Sequence, residues 1–170
     1  MPKLSDRVQT FTDSVIRRMT RISDEHGAIN LSQGFPDFDP PKPILDALAK
    51  VAYEGPHQYS VTYGAENLRE ALARKASKAM QREIDPETQV VVTCGGTEAM
   101  MGVVMSICNP GDKIMVFSPF YENYSADAIL SGAEPIFIPL VPPTFEFDIS
   151  LVEEGFKQGA RAIIVCNPSN

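Results

Sequence analysis

Gly95, Gly96 and Thr97 stand where one apolar run meets another, in the stretch QVVVTCGGTEAMMGVVMSIC that spans residues 89–108. Two adjacent glycines and a hydroxyl suit the holding of an anion. Glycine lets a backbone close on a phosphate without a Cβ in the way. A helix that starts here offers amide N–H groups with no partner inside it, at the positive end of its dipole. Thr97 adds a hydroxyl donor. The plainer reading, a tight strand-to-helix turn with no ligand, stands beside this one. A dinucleotide site asks for G-x-G-x-x-G and an acidic residue about 20 residues later. Here the glycines are adjacent and the next apolar run ends in Phe117-Ser118-Pro119, which disfavours a nicotinamide cofactor. No Gly-Lys-Ser/Thr follows, which excludes a Walker loop.

The flanking pattern says what must position these residues. Val90-Val91-Val92-Thr93 is short, apolar and β-branched, the composition of a buried strand. Glu98 to Cys108 is apolar on every side but Ser106, which predicts a helix buried all round. After the turn Asn109-Pro110-Gly111-Asp112, the chain alternates. A strand is predicted over 113–117, a helix over 121–131 ended by Gly132, and a strand over 134–138. A helix over 149–158 ended by Gly159 and a strand over 161–166 follow. This alternation predicts an α/β layer of mostly parallel strands with right-handed crossovers. Ligands of such sheets sit beyond the carboxyl ends of strands. Three ends carry useful chemistry: Gly95-Gly96-Thr97, an aromatic at Tyr121 able to stack on a planar ring, and the amides of Asn167 and Asn170. Together they suggest a phosphorylated planar ligand, although Tyr121 also suits a core position and Asn-Pro is a common turn.

Upstream, Val8, Phe11, Val15, Met19 and Ile22 recur at helical spacing, predicting a helix from Ser5 to His26 that Ser5 caps and Gly27 ends. A Pro/Gly-rich loop over 33–41 presents Phe35 and Phe38, either to plug the edge of a core or to line a pocket. A helix begins at Pro43 and runs to about Glu54 with Ile44, Leu45, Leu48, Val51 and Ala52 inward. Tyr59 and Tyr63 fall in a loop. A further helix over 66–81 has the stripe Leu68, Leu72, Ala76 and Met80.

With 170 residues, 44% of them hydrophobic, and a net charge of −7, the chain suits one globular unit. The acidic balance and the lack of a Lys/Arg run argue against a nucleic-acid partner. The N-terminus has no apolar signal region and no stretch reaches the length of a membrane span. Cys94, Cys108 and Cys166 are three and widely spaced, as in a reduced cytoplasmic protein without disulfides. Neither histidine has metal-ligand spacing.

Several motifs in order resemble the N-terminal part of the class I/II aminotransferases that use pyridoxal 5'-phosphate. They are Asn30-Leu31-Ser32-Gln33-Gly34-Phe35-Pro36-Asp37-Phe38, Gln58 to Gly64 with Leu68-Arg69-Glu70-Ala71-Leu72, Cys94 to Ala99, Ser118 to Tyr124, and Cys166 to Asn170. The resemblance implies the pyridoxal-phosphate transferase fold type I, a mostly parallel sheet sandwiched by helices. Residues 1–30 would form an N-terminal arm and helix, and 31–170 the first part of the large cofactor-binding domain. It implies that Gly96 and Thr97 bind the cofactor phosphate with Gly95 shaping the turn, that Tyr121 stacks on the ring and that Asn170 bonds the ring hydroxyl. Gly34 would meet the substrate carboxylate, and Tyr59 would reach the phosphate of a partner subunit in a homodimer.

The implied reaction moves an amino group from an amino acid (aspartate, aromatic or similar) to a 2-oxo acid such as 2-oxoglutarate. The family's catalytic lysine lies beyond the point that matches Asn170, so the sequence reads as a piece truncated before it and inactive alone. Lyase chemistry on the same fold, or a non-catalytic dimerisation or ligand-sensing module, remains an alternative.

Overall fold

The computed structural model describes residues 3–9, 11 and 13–169, and its chain forms two compact units rather than one. One comprises Met1–Thr12 with Thr93–Asn170; the other is Asp13–Val92.

The first unit is built on three parallel strands, β1 (Lys113–Ser118), β2 (Glu134–Pro139) and β3 (Ala160–Ile164), in the order β2-β1-β3. Lys113 pairs with Glu134 and Ser118 with Pro139 along one edge of β1. On the other edge, Ile114 pairs with Ala162 and Val116 with Ile164, after a register shift at Lys113/Ile114. The central strand is a continuous buried run, Ile114-Met115-Val116, as expected where helices cover both faces of a parallel sheet. Neighbouring residues of a strand point to opposite faces. Ile114 joins a cluster with Val104 and Cys108 from the end of α4 (Gly95–Ile107) and Ala128 from α5 (Asn123–Ser131). Met115 lies against Gly155 of α6 (Ile149–Lys157). The sheet is thus sandwiched, with α4 and α5 on one face and α6 on the other. Gly132, at φ 86°, ends α5, and the Asp148 side chain caps α6 by accepting the Ser150 N–H at 2.8 Å.

Two expectations fail in this half of the sequence. Residues 90–93 form no strand: the Val92 N–H bonds the Tyr63 carbonyl at 2.9 Å, but no strand lies alongside among the described residues, and Val91 is 61% exposed. β-branched composition favours extension, yet only a hydrogen-bonded neighbour makes a strand. Nor is α4 buried all round. Val104 is buried, whereas Val103, Met105 and Ile107 are exposed, because described residues cover only one of its apolar faces.

The second unit holds α1 (Val15–Glu25), α2 (Lys42–Glu54) and α3 (Glu66–Met80). The single long helix expected over 5–26 is interrupted. Asp6–Val8 forms one 3-10 turn in the first unit, where Arg7 Nη1 donates to the Leu130 carbonyl at 3.1 Å. Ser5 provides no side-chain cap there; α1 starts anew where Ser14 Oγ accepts the Arg17 N–H. Gly27 follows α1 at φ 58°. α2 has its proline in the first turn, but its apolar stripe faces out: Ile44, Leu45, Leu48, Val51 and Ala52 are all exposed. On α3 the buried residues are Arg69 and Ala73, while Leu68, Leu72 and Met80 are exposed. Arg69 takes the interior because its guanidinium finds oxygen partners there: Gly64 O at 3.0 Å, Pro86 O at 2.6 Å and Glu87 Oε1 at 2.8 Å. Phe35 and Phe38 are exposed and plug no core among the described residues.

Candidate functional site

The turn that opens α4 is closed by its own chain. The Gly95 N–H bonds the Thr93 carbonyl at 2.8 Å and the Thr93 hydroxyl donates to the Gly95 carbonyl at 2.9 Å. Gly95 has φ 80°, a conformation that L side chains rarely adopt. The Cys94 N–H donates to the Glu98 carboxylate, which reaches back from the first turn of α4 and suits the positive end of the helix. The amides of Gly96 and Thr97 come next, and amides of a first turn have no acceptor within the helix.

Gly96 and Thr97 line a cavity of about 250 Å³ with Met100, Tyr121, Asn123 and Tyr124. Strand β1 ends at Ser118, and the short link through Tyr121 delivers both tyrosines and Asn123 to this cavity. Tyr121 and Tyr124 meet edge to face, ring centres 5.9 Å apart and planes at 79°. Asn123 Nδ2 donates to Thr97 Oγ1 at 2.8 Å, joining the start of α5 to the start of α4. Tyr124's phenol is pushed above its ordinary pKa, chiefly by its hydrogen bond with the Cys166 side chain and then by burial. Cys166 follows β3, so the carboxyl ends of β1 and β3 reach the same neighbourhood.

A phosphate monoester needs several N–H and O–H donors converging in a positive field, and a flat ring needs an aromatic wall. The first-turn amides, the Thr97 hydroxyl and Tyr121 supply both, so the donor set fits a phosphorylated ring. Gly96, Thr97 and Tyr121 line one cavity, and Gly95 shapes the turn before it. Asn170 lies outside the described residues. Gly34 and Tyr59 belong to the second unit, both exposed on loops. Sequence reasoning missed Met100, Asn123 and Tyr124. Tyr124 and Asn123 carried a signal, since both follow Tyr121 within one helical turn and share its end of the strand.

Among the described residues no group of three or more His, Cys, Asp or Glu side chains could hold a metal ion, and no helix is long and apolar enough to cross a membrane.

The family model described as "Aminotransferase class I and II" matches residues 26–170. A relative from Mycobacterium tuberculosis, the "Probable N-succinyldiaminopimelate aminotransferase DapC", is 34% identical over 166 residues, covering 96% of this chain and 42% of the relative. The solved N-succinyldiaminopimelate aminotransferase of Mycobacterium tuberculosis superposes with a TM-score of 0.89 at 33% identity, over 99% of this chain and 44% of that one. An Escherichia coli protein whose structure identified a methionine aminotransferase function superposes with a TM-score of 0.91 at 30% identity, over 100% of this chain and 44% of that one. The chain thus spans less than half the length of the relatives it matches.

Proposed function

Because this chain belongs to the class I and II aminotransferase family, with that family's fold type I sheet, we propose that the protein carrying it is a pyridoxal-phosphate-dependent aminotransferase. It would move an amino group from an amino acid to a 2-oxo acid. The observation that carries this reading is the convergence of Gly96, Thr97 and Tyr121 on one cavity at the carboxyl end of β1. When bound, pyridoxal phosphate supplies the electron sink that lets an amino acid lose its α-proton and exchange its amino group.

What this chain's residues contribute is binding and orientation. The amides of Gly96 and Thr97 and the Thr97 hydroxyl hold the phosphate at the positive end of α4. Tyr121 would hold the ring by stacking against it. Asn170 bonds the ring hydroxyl, and the Gly34 backbone meets the substrate carboxylate; both assignments rest on the resemblance alone. Tyr59 bonds the phosphate of a partner subunit in a homodimer. Its complete exposure within its own chain supports that role. The three free cysteines support a reducing, cytoplasmic setting. The exposed Phe35, Phe38 and Tyr63 suit donors with aromatic or long apolar side chains, alongside aspartate.

The test uses the full-length protein. Added pyridoxal phosphate should give a visible absorption band that an amino-acid donor bleaches and 2-oxoglutarate restores, with the matching oxo acid as product. A bound cofactor with elimination products and no amino transfer would favour a lyase. No binding at all would leave a module without this chemistry.

A further inference from the structure

We propose that Asn123 is a positioning residue for the phosphate-binding hydroxyl: by donating to Thr97 Oγ1 it turns the Thr97 proton toward a phosphate monoester in the cavity. The proposal rests on the cavity holding a cofactor phosphate.

The geometry is a hydrogen bond of 2.8 Å from Asn123 Nδ2 to Thr97 Oγ1, between residues 26 apart in sequence. An amide nitrogen can only donate, and a hydroxyl has one proton and two lone pairs. Once a lone pair of Thr97 takes the Asn123 proton, its own proton must point elsewhere. Helical hydroxyls commonly return it to the carbonyl one turn back. Two in this chain do so: Thr20 Oγ1 donates to Ile16 O at 3.0 Å, and Ser106 Oγ to Gly102 O at 2.7 Å. Thr97 sits in the first turn of α4, where the carbonyl four residues back is that of Thr93. That carbonyl already accepts the Gly95 N–H at 2.8 Å. Among the described residues the Thr97 hydroxyl makes no bond back to that carbonyl, and the cavity that Thr97 and Asn123 both line is open to its proton. A phosphate monoester, whose charged oxygens only accept, is the ligand class that rewards this orientation.

Asn123 is also held firmly enough to do this. It is the first residue of α5, and that helix is anchored by Ala128 in the apolar cluster against Ile114 and Val104. The amide therefore meets Thr97 from a packed element and not from a loop.

The experiment measures pyridoxal phosphate dissociation constants in the full-length protein for the wild type, N123A, N123D, T97V and the T97V/N123A pair. Phosphorus NMR of the bound phosphate and the melting temperature of the cofactor-free protein accompany them. One hydrogen bond to a charged group is worth about a ten- to hundredfold change in affinity, so T97V and N123A should each weaken binding by about tenfold or more. The double variant should bind no more weakly than T97V. N123D can only accept, pulls the Thr97 proton away and adds a negative charge, so it should bind worst. N123A should shift the phosphorus resonance.

Equal losses for N123A in the presence and absence of the Thr97 hydroxyl would overturn the proposal while leaving the phosphate site standing. So would unchanged affinity in N123A beside a weakened T97V. Unchanged affinity in T97V would remove the phosphate site itself and the proposal with it. Asn123→Leu, close in size to asparagine but with neither donor nor charge, carries the test should N123A fail to fold. It should weaken binding where the Thr97 hydroxyl is present and add nothing in T97V, and an equal loss in both would overturn the proposal.

Discussion

Asp127 is an acid where burial gives it little to bind. It lies on α5, is 2% exposed, and its Oδ2 has no hydrogen-bond partner among the described residues. Burial pushes its carboxyl above the ordinary carboxylate pKa. A folded-state pKa above the unfolded one means that the folded protein binds the proton more tightly. The stability contributed by the protonated form is fully present below the unfolded pKa, near 3.8, and is lost as pH rises through the folded value. Asp127→Asn should therefore stabilise the protein at neutral pH, and the difference in denaturation midpoint should shrink as pH falls toward that unfolded value. A midpoint difference independent of pH would show that the folded protein does not raise the Asp127 pKa. Arg69 is the opposite case, a buried charge fully supplied with oxygens. Its side chain is 4% exposed while that of Glu87 is 63% exposed, so the bonds to the Gly64 and Pro86 carbonyls matter more than the screened ion pair. Arg69→Met should cost about 2 kcal/mol or more, because two or three hydrogen bonds go. Glu87→Gln should cost much less, and chemical denaturation of both variants measures the gap.

Among the elements, α6 meets the sheet through its one glycine. A Cβ on Gly155 would run into Met115 Sδ and come to 3.0 Å from its Cγ. Met115 is fully buried and has nowhere to go. Gly155→Ala should thus destabilise by about 1–3 kcal/mol through overpacking, although alanine by itself favours a helix by about 1 kcal/mol. Adding Met115→Ala should relieve the clash, so the pair should show a favourable coupling in a double-mutant cycle. Gly64 makes a similar close approach elsewhere. At φ 106°, its Cβ would lie 2.6 Å from Val92 Cβ. The Tyr63–Val92 hydrogen bond and this contact tie Val92 to the loop before α3.

Over the whole chain, apolar surface is left uncovered on more than one element. On α2, Leu48 is 68% exposed, and on α4 Met105 is 63% exposed. Exposed apolar patches of this kind mark interaction surfaces. The 170-residue chain produced alone should bind a hydrophobic dye and associate as concentration rises. Leu48→Glu together with Val51→Lys should reduce both, read by sedimentation and dye fluorescence. A monodisperse monomer with no dye binding would contradict this.

The sequence by itself determined the alternation of strands and helices after Asp112, because each strand and each glycine stop is a local signal written within a few residues. It also placed the glycine turn at Gly95–Thr97 and the aromatic at Tyr121, since both fall at the end of an apolar run. Burial was decided by tertiary structure alone. The stripes of α2 and α3 have the periodicity of buried faces, but a periodic face says only that something should cover it. The run 90–93 has strand composition, but a strand exists only when a neighbour completes its hydrogen bonds. The link between Asn123 and Thr97 is likewise a fact of three dimensions: nothing in either residue's surroundings along the chain says that two helix starts 26 residues apart meet.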